Sequence, residues 1–193
     1  MHVNLIKELD SSFLSCEKDM EAILKKLFVE DKKHSEELIR LLTINTKDCL
    51  DNKESKVYRD QIKKASLKYL KENGYIRLSP KLTFPEHEEV KSYLLISFNN
   101  FTPNKTNPQF RDCIVHIAVI CHTDCWDIGD FRIRPLKICG YIDGLLNESR
   151  LSGIGKLHFL GSNQLVLDEN LSGYSLMFKA VHGSDDEIPD KKE

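Results

Sequence analysis

Ten residues, Cys113 to His122 (CIVHIAVICH), constrain this chain most, because they are apolar at nearly every position. A strand with one wet face alternates apolar and polar residues. A near-continuous run of β-branched side chains belongs to a central strand covered on both faces. The chain must therefore build a sheet around this segment and supply layers for two sides of it. At 193 residues it has the length for one ordinary domain and a smaller appendage.

The partner elements follow from local chemistry. Tyr93 to Phe98 reads as one neighbouring strand, Lys156 to Leu160 and Tyr174 to Val181 as two more, and Gln164 to Asp168 as a short one. Between the central strand and these closing strands lies a helix opened by Pro135, at a position where the missing N–H costs nothing. Its stripe is Ile138, Ile142, Leu145 and Leu146, with Cys139 beside it. Gly140 and Gly144 are placed for a close approach by a strand or a neighbouring chain, at a cost in helix propensity. The stretch from about Val90 to Val181 thus reads as one compact α+β domain.

The first 73 residues have a different period. Met20, Ile23, Leu24, Leu27 and Phe28 form an amphipathic stripe between Glu17 and Phe28. A second helix is expected over Ser35 to Leu42, capped by Ser35. A third runs from Lys56 to Asn73 and stops at Gly74. Thr43 to Lys53 reads as a polar loop, and Asn99 to Gln109, with four Asn and two Pro, as a turn or extended arm. The expected organisation is an N-terminal helical region (1–74), an α+β domain (75–183) and a mobile acidic tail (184–193). The fold class is α+β, a mixed and mainly antiparallel sheet packed on the helix at about 135–148.

Charge and motif content narrow the chemistry. Lys and Arg number 28 against 30 Asp and Glu, which argues against a general nucleic-acid binder with a basic stripe. No apolar run is long enough to span a membrane. Met1 to Leu5 lack the pattern of a secretory leader, so the six cysteines are expected to be reduced, buried thiols of a protein made in a cytoplasm. No GxSxG, GxxxxGK[ST], GxGxxG or HExxH occurs. Cys113, His116, Cys121, His122 and Cys125 are the residue types zinc prefers, but Cys113 and Cys121 would stand roughly 26 Å apart at ~3.3 Å per residue. Only Cys121, His122 and Cys125 can converge, across the turn after the strand. They carry the alternative reading, a small cytoplasmic metal- or thiol-dependent protein. No cofactor is expected. Arg132 and Arg134 lie two residues apart among Asp124, Asp127 and Asp130, a mixed-sign segment suited to ion pairs across a subunit interface.

The order of elements, and the segments CIVHIAVICHTDCW, IRPLKICGYIDGLLNESRLSGIGKLHFLGSNQLVL and GYSLMFKAVHG, resemble the tail terminator and tail-completion proteins of tailed bacteriophages. In that family a central strand leads to a helix of the form I-x-x-x-I-D-x-L-L. Ile138, Ile142, Asp143, Leu145 and Leu146 fill this pattern here. The resemblance implies a non-enzymatic structural protein that forms a homo-oligomeric, hexameric ring. Such a ring caps the tail tube, joins it to the head connector and lets DNA pass without binding it specifically. It implies assembly in the host cytoplasm and residence in the virion neck. The interface candidates are Asn99, Phe101, Lys105 and Asn107 in the loop, and Asp130, Arg132 and Arg134 before the helix.

Overall fold

A computed structural model describes residues 16–51, 54–79, 89–105, 110–151 and 155–182. It is α+β, with helices first and a mixed sheet after them. Five strands lie in the order β1-β2-β3-β7-β6: β1 (Ile76–Arg77), β2 (Ser92–Pro103), β3 (Arg111–His122), β6 (His158–Val166) and β7 (Leu171–His182). Only β1 pairs in parallel; every other pairing in this sheet is antiparallel. The expected central strand is β3, third of the five. A small second sheet joins β4 (Arg150–Leu151) to β5 (Gly155–Lys156).

The two faces of β3 explain its composition. On one face Val115, Ile117 and Val119 join Leu94, Ile96, Leu176 and Phe178 in the main core. On the other, Ala118 and Ile120 join Tyr93, Leu95 and Leu171 in a smaller cluster. The main helix, α5 (Arg134–Leu146), presents Ile138, Ile142 and Leu146 to the larger core, each fully buried. Each contributes about 1.5–3 kcal/mol by leaving water. The same core takes in Ile23 and Leu27 from α1 (Cys16–Lys25) and the π-helical turn after it, and Leu38, Leu41 and Leu42 from α2 (Lys32–Thr43).

Several local expectations are corrected by hydrogen bonding. The cap of α2 is Asp31, whose carboxylate accepts from the His34 N–H at 3.1 Å; Ser35 is inside the helix and buried. Residues 56–73 form two helices, α3 (Lys56–Lys64) and α4 (Leu67–Glu72). The break falls where Ser66 turns its hydroxyl back to accept from the Tyr69 N–H at 3.2 Å, beginning a new helix. Gly74 does end that helix, at φ +73°, while the Tyr75 N–H reaches back to the Leu70 carbonyl at 2.9 Å.

The expected arm at Asn99 to Gln109 begins as strand, and 106–109 lie outside the described residues. β2 runs through to Pro103, taking up the extra chain as a bulge between Asn99 and Thr102, with Asn100 at φ +53°. Asn104 ties the end of β2 to the approach of β3: its N–H donates to the Phe110 carbonyl at 3.0 Å and its amide to Asp112 at 2.7 Å. Gln164 to Val166 is part of β6, while Asp168 belongs to the turn into β7. Gly140 and Gly144 face open space, where an added Cβ would meet nothing within 4 Å. The close approach is at Gly173 instead, where a Cβ would lie 1.8 Å from the Val119 carbonyl oxygen of the neighbouring strand. The tail 184–193 lies outside the described residues.

Candidate assembly surface

The end of α2 and the start of α5 meet at one buried arginine. Arg134 is completely buried, and its guanidinium reaches four backbone carbonyls: Cys125 at 2.6 Å, Leu41 at 2.6 Å, Ile44 at 2.7 Å and Thr46 at 3.0 Å. Its own N–H donates to the Trp126 carbonyl at 2.7 Å. Leu41 lies in the last turn of α2, whose carbonyls have no partner within the helix and carry the negative end of its dipole. A planar, fixed fork of donors suits several carbonyls converging from different directions. Other carbonyls at this helix end are satisfied nearby: Gln61 donates its amide to the Thr43 carbonyl at 2.6 Å, and the Thr43 hydroxyl to the Ile39 carbonyl at 2.8 Å. Arg134 is therefore an internal tie between α2, the 3-10 turn Thr123–Cys125 and α5, and its side chain is not available to a neighbour.

Arg132 is held at the surface. It makes a two-pronged ion pair with Asp51 at 3.0 and 2.6 Å and a longer one with Asp130 at 3.4 Å. Asp127 accepts from the Gly129 N–H at 2.8 Å and pairs with Lys47 at 2.6 Å. Arg132 and Ile128 close the loop through backbone bonds of 2.8 and 3.1 Å. These contacts brace three successive residues in left-handed backbone conformation: Gly129 at φ +77°, Asp130 at +49° and Phe131 at +59°. For Asp and Phe this conformation is uncommon and is sustained by its surroundings. What it presents is Phe131, fully exposed at 106% of its reference area, with Ile133 and Leu136 also exposed nearby in sequence.

The other expected contact residues are scattered. Asn99 is exposed on β2, and Phe101 is partly buried, its ring 6.4 Å from that of Phe98. Lys105 is exposed in the turn after β2. Asn107 lies outside the described residues. A feature that single-residue reading missed is the β6 edge. This strand is last in the sheet, and Leu160 and Val166 on it are 53% and 71% exposed, with Phe159 and Leu167 also exposed. The signal for it in the sequence was the uncharged, proline-free run from Phe159 to Leu167.

A shallow groove of about 280 Å³ lies between the start of α2 and the outer face of α5, lined by Asp31, His34, Gly140, Tyr141, Gly144 and Leu145. Within it Asp31 holds the His34 ring at 2.7 Å, and the Tyr141 hydroxyl donates to Glu37 at 2.5 Å.

The thiol constellation is buried and protonated. Cys121 is fully buried, and burial pushes its thiol up to about 12. Burial raises Cys125 as well, against the lowering influence of Arg134. The Cys125 thiol donates to the His122 carbonyl at 3.1 Å, and His122 Nδ1 accepts from the Asp124 N–H at 3.2 Å. Among the described residues no group of three or more His, Cys, Asp or Glu side chains is arranged to hold a metal ion. Among them, too, no helix is long and apolar enough to cross a membrane.

A comparison with curated proteins finds no match. A family model does match, from residue 35 in α2 to residue 180 in β7, spanning Arg134, the braced Phe131 loop and the β6 edge. Over that length the chain belongs to the YomW family, a phage-derived family.

Proposed function

We propose that this chain is a structural subunit of a tailed-phage neck, a protein without turnover that forms a ring capping the tail tube and joins the tube to the head connector. It assembles in the host cytoplasm and is carried in the virion. The observation that supports this best is Phe131, held fully in solvent by a loop braced with two ion pairs and three left-handed residues. Left-handed backbone at a non-glycine residue costs free energy, on the order of 1–3 kcal/mol where the conformation is sparsely populated. An exposed aromatic gains nothing in return until a partner covers it. An aromatic anchor rimmed by charged pairs is the arrangement found at the energetic centre of protein interfaces.

Ring closure requires a head-to-tail contact, in which one patch meets a different patch on the next copy. The groove at Gly140, Tyr141 and Gly144 supplies a second patch on the same helix. It begins about 9 Å along the axis from Arg134, at 1.5 Å per residue. In the ring, Phe131 of one subunit enters this groove on the next.

Light scattering and negative-stain images of the full chain, alone and mixed with tail tubes, test the reading. A six-fold ring, or six copies capping a tube end, is the expected result. Phe131→Ser is expected to abolish it while leaving the circular dichroism spectrum intact. A chain that stays monomeric in both settings would sink the reading.

A further inference from the structure

The geometry points to a second contact of different symmetry: two copies of this chain join through their β6 edges, antiparallel, about a twofold axis at Asn163. The inference goes beyond the neck-ring reading and rests on other residues.

The first step is which way the strand's backbone points. Val166 pairs with Ser172, and the next opposed residues, Leu167 and Leu171, are joined by a bond from the Leu167 N–H at 3.0 Å. In an antiparallel ladder, bonded and non-bonded positions alternate. Leu165 and Asn163 therefore turn their N–H and C=O toward β7, as Leu167 does. The Ser175 hydroxyl, 3.4 Å from the Asn163 carbonyl oxygen, agrees. Ser162, Gln164 and Val166 consequently turn theirs outward, to the side where no described strand pairs.

The second step is symmetry. An axis through Asn163 sets Ser162 of one copy against Gln164 of the other, and Gln164 against Ser162. Both members of each pair point outward, so each pair exchanges two N–H···O bonds. Any axis between two residues would oppose an outward group to an inward one. The same axis carries Val166 of each copy toward the bulge at Leu160 of the other, where the ladder with β7 skips a residue between Phe159 and Gly161, so that at each end two exposed aliphatic side chains come together. The contact ends short of Phe159, whose N–H is already taken by the Asn147 side-chain oxygen, and of His158, which is held by Glu148. Between Phe159 and Leu167 there is no charge and no proline to repel a second strand. An uncharged, proline-free strand edge of this kind is what monomeric proteins avoid. Its pattern about Asn163 fits a second copy of itself.

The test is the cross-linking register of the full chain in a Cys16→Ser background, which removes the one native thiol that is not buried. At the axis the two copies of residue 163 form a non-bonded pair with Cα atoms about 4.5 Å apart, within disulfide reach. Asn163→Cys is expected to give a dithiothreitol-reversible dimer under mild oxidation. Ser162→Cys or Gln164→Cys alone is expected to link at least tenfold more slowly, because like residues there are diagonal neighbours, roughly 7–8 Å apart. In the Phe131→Ser background, where the ring contact is removed, Val166→Lys is expected to turn the remaining edge dimer into a monomer by light scattering with its circular dichroism unchanged. Equal rates at 162, 163 and 164, or a Val166→Lys protein that remains dimeric, would overturn the inference. Phe131→Ser should leave the Asn163→Cys cross-link untouched, so a failed ring and a failed edge contact are told apart.

Discussion

Replacing Arg134 with Met is the most informative single perturbation, because it separates an internal tie from a surface cation. Met preserves much of the side-chain length and its apolar packing, and removes the donors. Three of the four carbonyl bonds are buried, those to Cys125, Leu41 and Ile44. Leaving a buried acceptor unsatisfied costs about 1–3 kcal/mol. Taking the lower half of that range for three carbonyls, since some rotate toward water or find other partners, the loss is about 4 kcal/mol. That is a large share of a typical stability of about 5–15 kcal/mol. With a urea slope of ~2 kcal/mol/M, the unfolding midpoint falls by about 2 M.

Trp126 is the only tryptophan and lies beside the tie: its carbonyl accepts from the Arg134 N–H, and its indole donates to the Cys121 carbonyl at 3.3 Å. Its fluorescence therefore follows this region in a urea titration, run at one protein concentration so that assembly does not shift the midpoint. Arg134→Lys should fall between, since an ammonium reaches one or two carbonyls but lacks the fork. A midpoint shift below about 0.5 M for the Met variant, with assembly altered, would refute the internal-tie argument and return Arg134 to the interface.

Three further outcomes follow from local geometry. Gly173→Ala should cost more than about 3 kcal/mol or fail to fold, because its Cβ would collide with the Val119 carbonyl; Gly140→Ala, with open space around it, should raise the thermal midpoint by the equivalent of about 1 kcal/mol. Lys156 first, and His158 second, hold the Glu148 carboxyl below its usual range. A carboxylate depressed in the folded state stabilises above its unfolded pKa and loses that contribution as pH falls through the folded one, so Glu148→Gln should flatten the acid limb of the stability curve below about pH 4.5, read by thermal midpoints. Burial pushes Cys113, Cys121 and Cys139 up to about 12, leaving roughly one in ten thousand ionised at pH 8, so Ellman's reagent should label Cys16 first and the others only as the fold opens; rapid labelling of Cys121 or Cys125 would favour the thiol-dependent alternative.

What could be read in advance depended on how local the deciding interaction was. The central strand, the Pro135 helix with Ile138, Ile142 and Leu146, and the Gly74 stop were legible because periodicity, proline and glycine act within a few residues. The broken third helix turned on one competing hydrogen bond at Ser66, which propensity does not rank against continuation. The run from Asn99 looked like a loop by composition. Pairing with β3 carries the chain as strand to Pro103, with Asn100 absorbed in a bulge whose left-handed backbone asparagine tolerates.

Arg134 shows where local reading stops. Two residues apart, Arg132 and Arg134 have the same charge and nearly the same neighbours in sequence, yet one is a surface ion pair and the other is entirely buried. The difference is made by Leu41, Ile44 and Thr46, some ninety residues earlier, whose carbonyls gather at the end of α2. A buried cation normally calls for a carboxylate, and a search for an acidic partner would have missed this one, because its counter-charge is a helix end. The consequence reaches the candidate surface. With Arg134 fixing the end of α2 against the start of α5, the loop between Trp126 and Arg134 is anchored at both ends, and Asp51, in the chain just after α2, is held where Arg132 meets it. The exposure of Phe131 is then a property of a rigid frame. Loosening the tie should weaken assembly even through variants that never touch the interface.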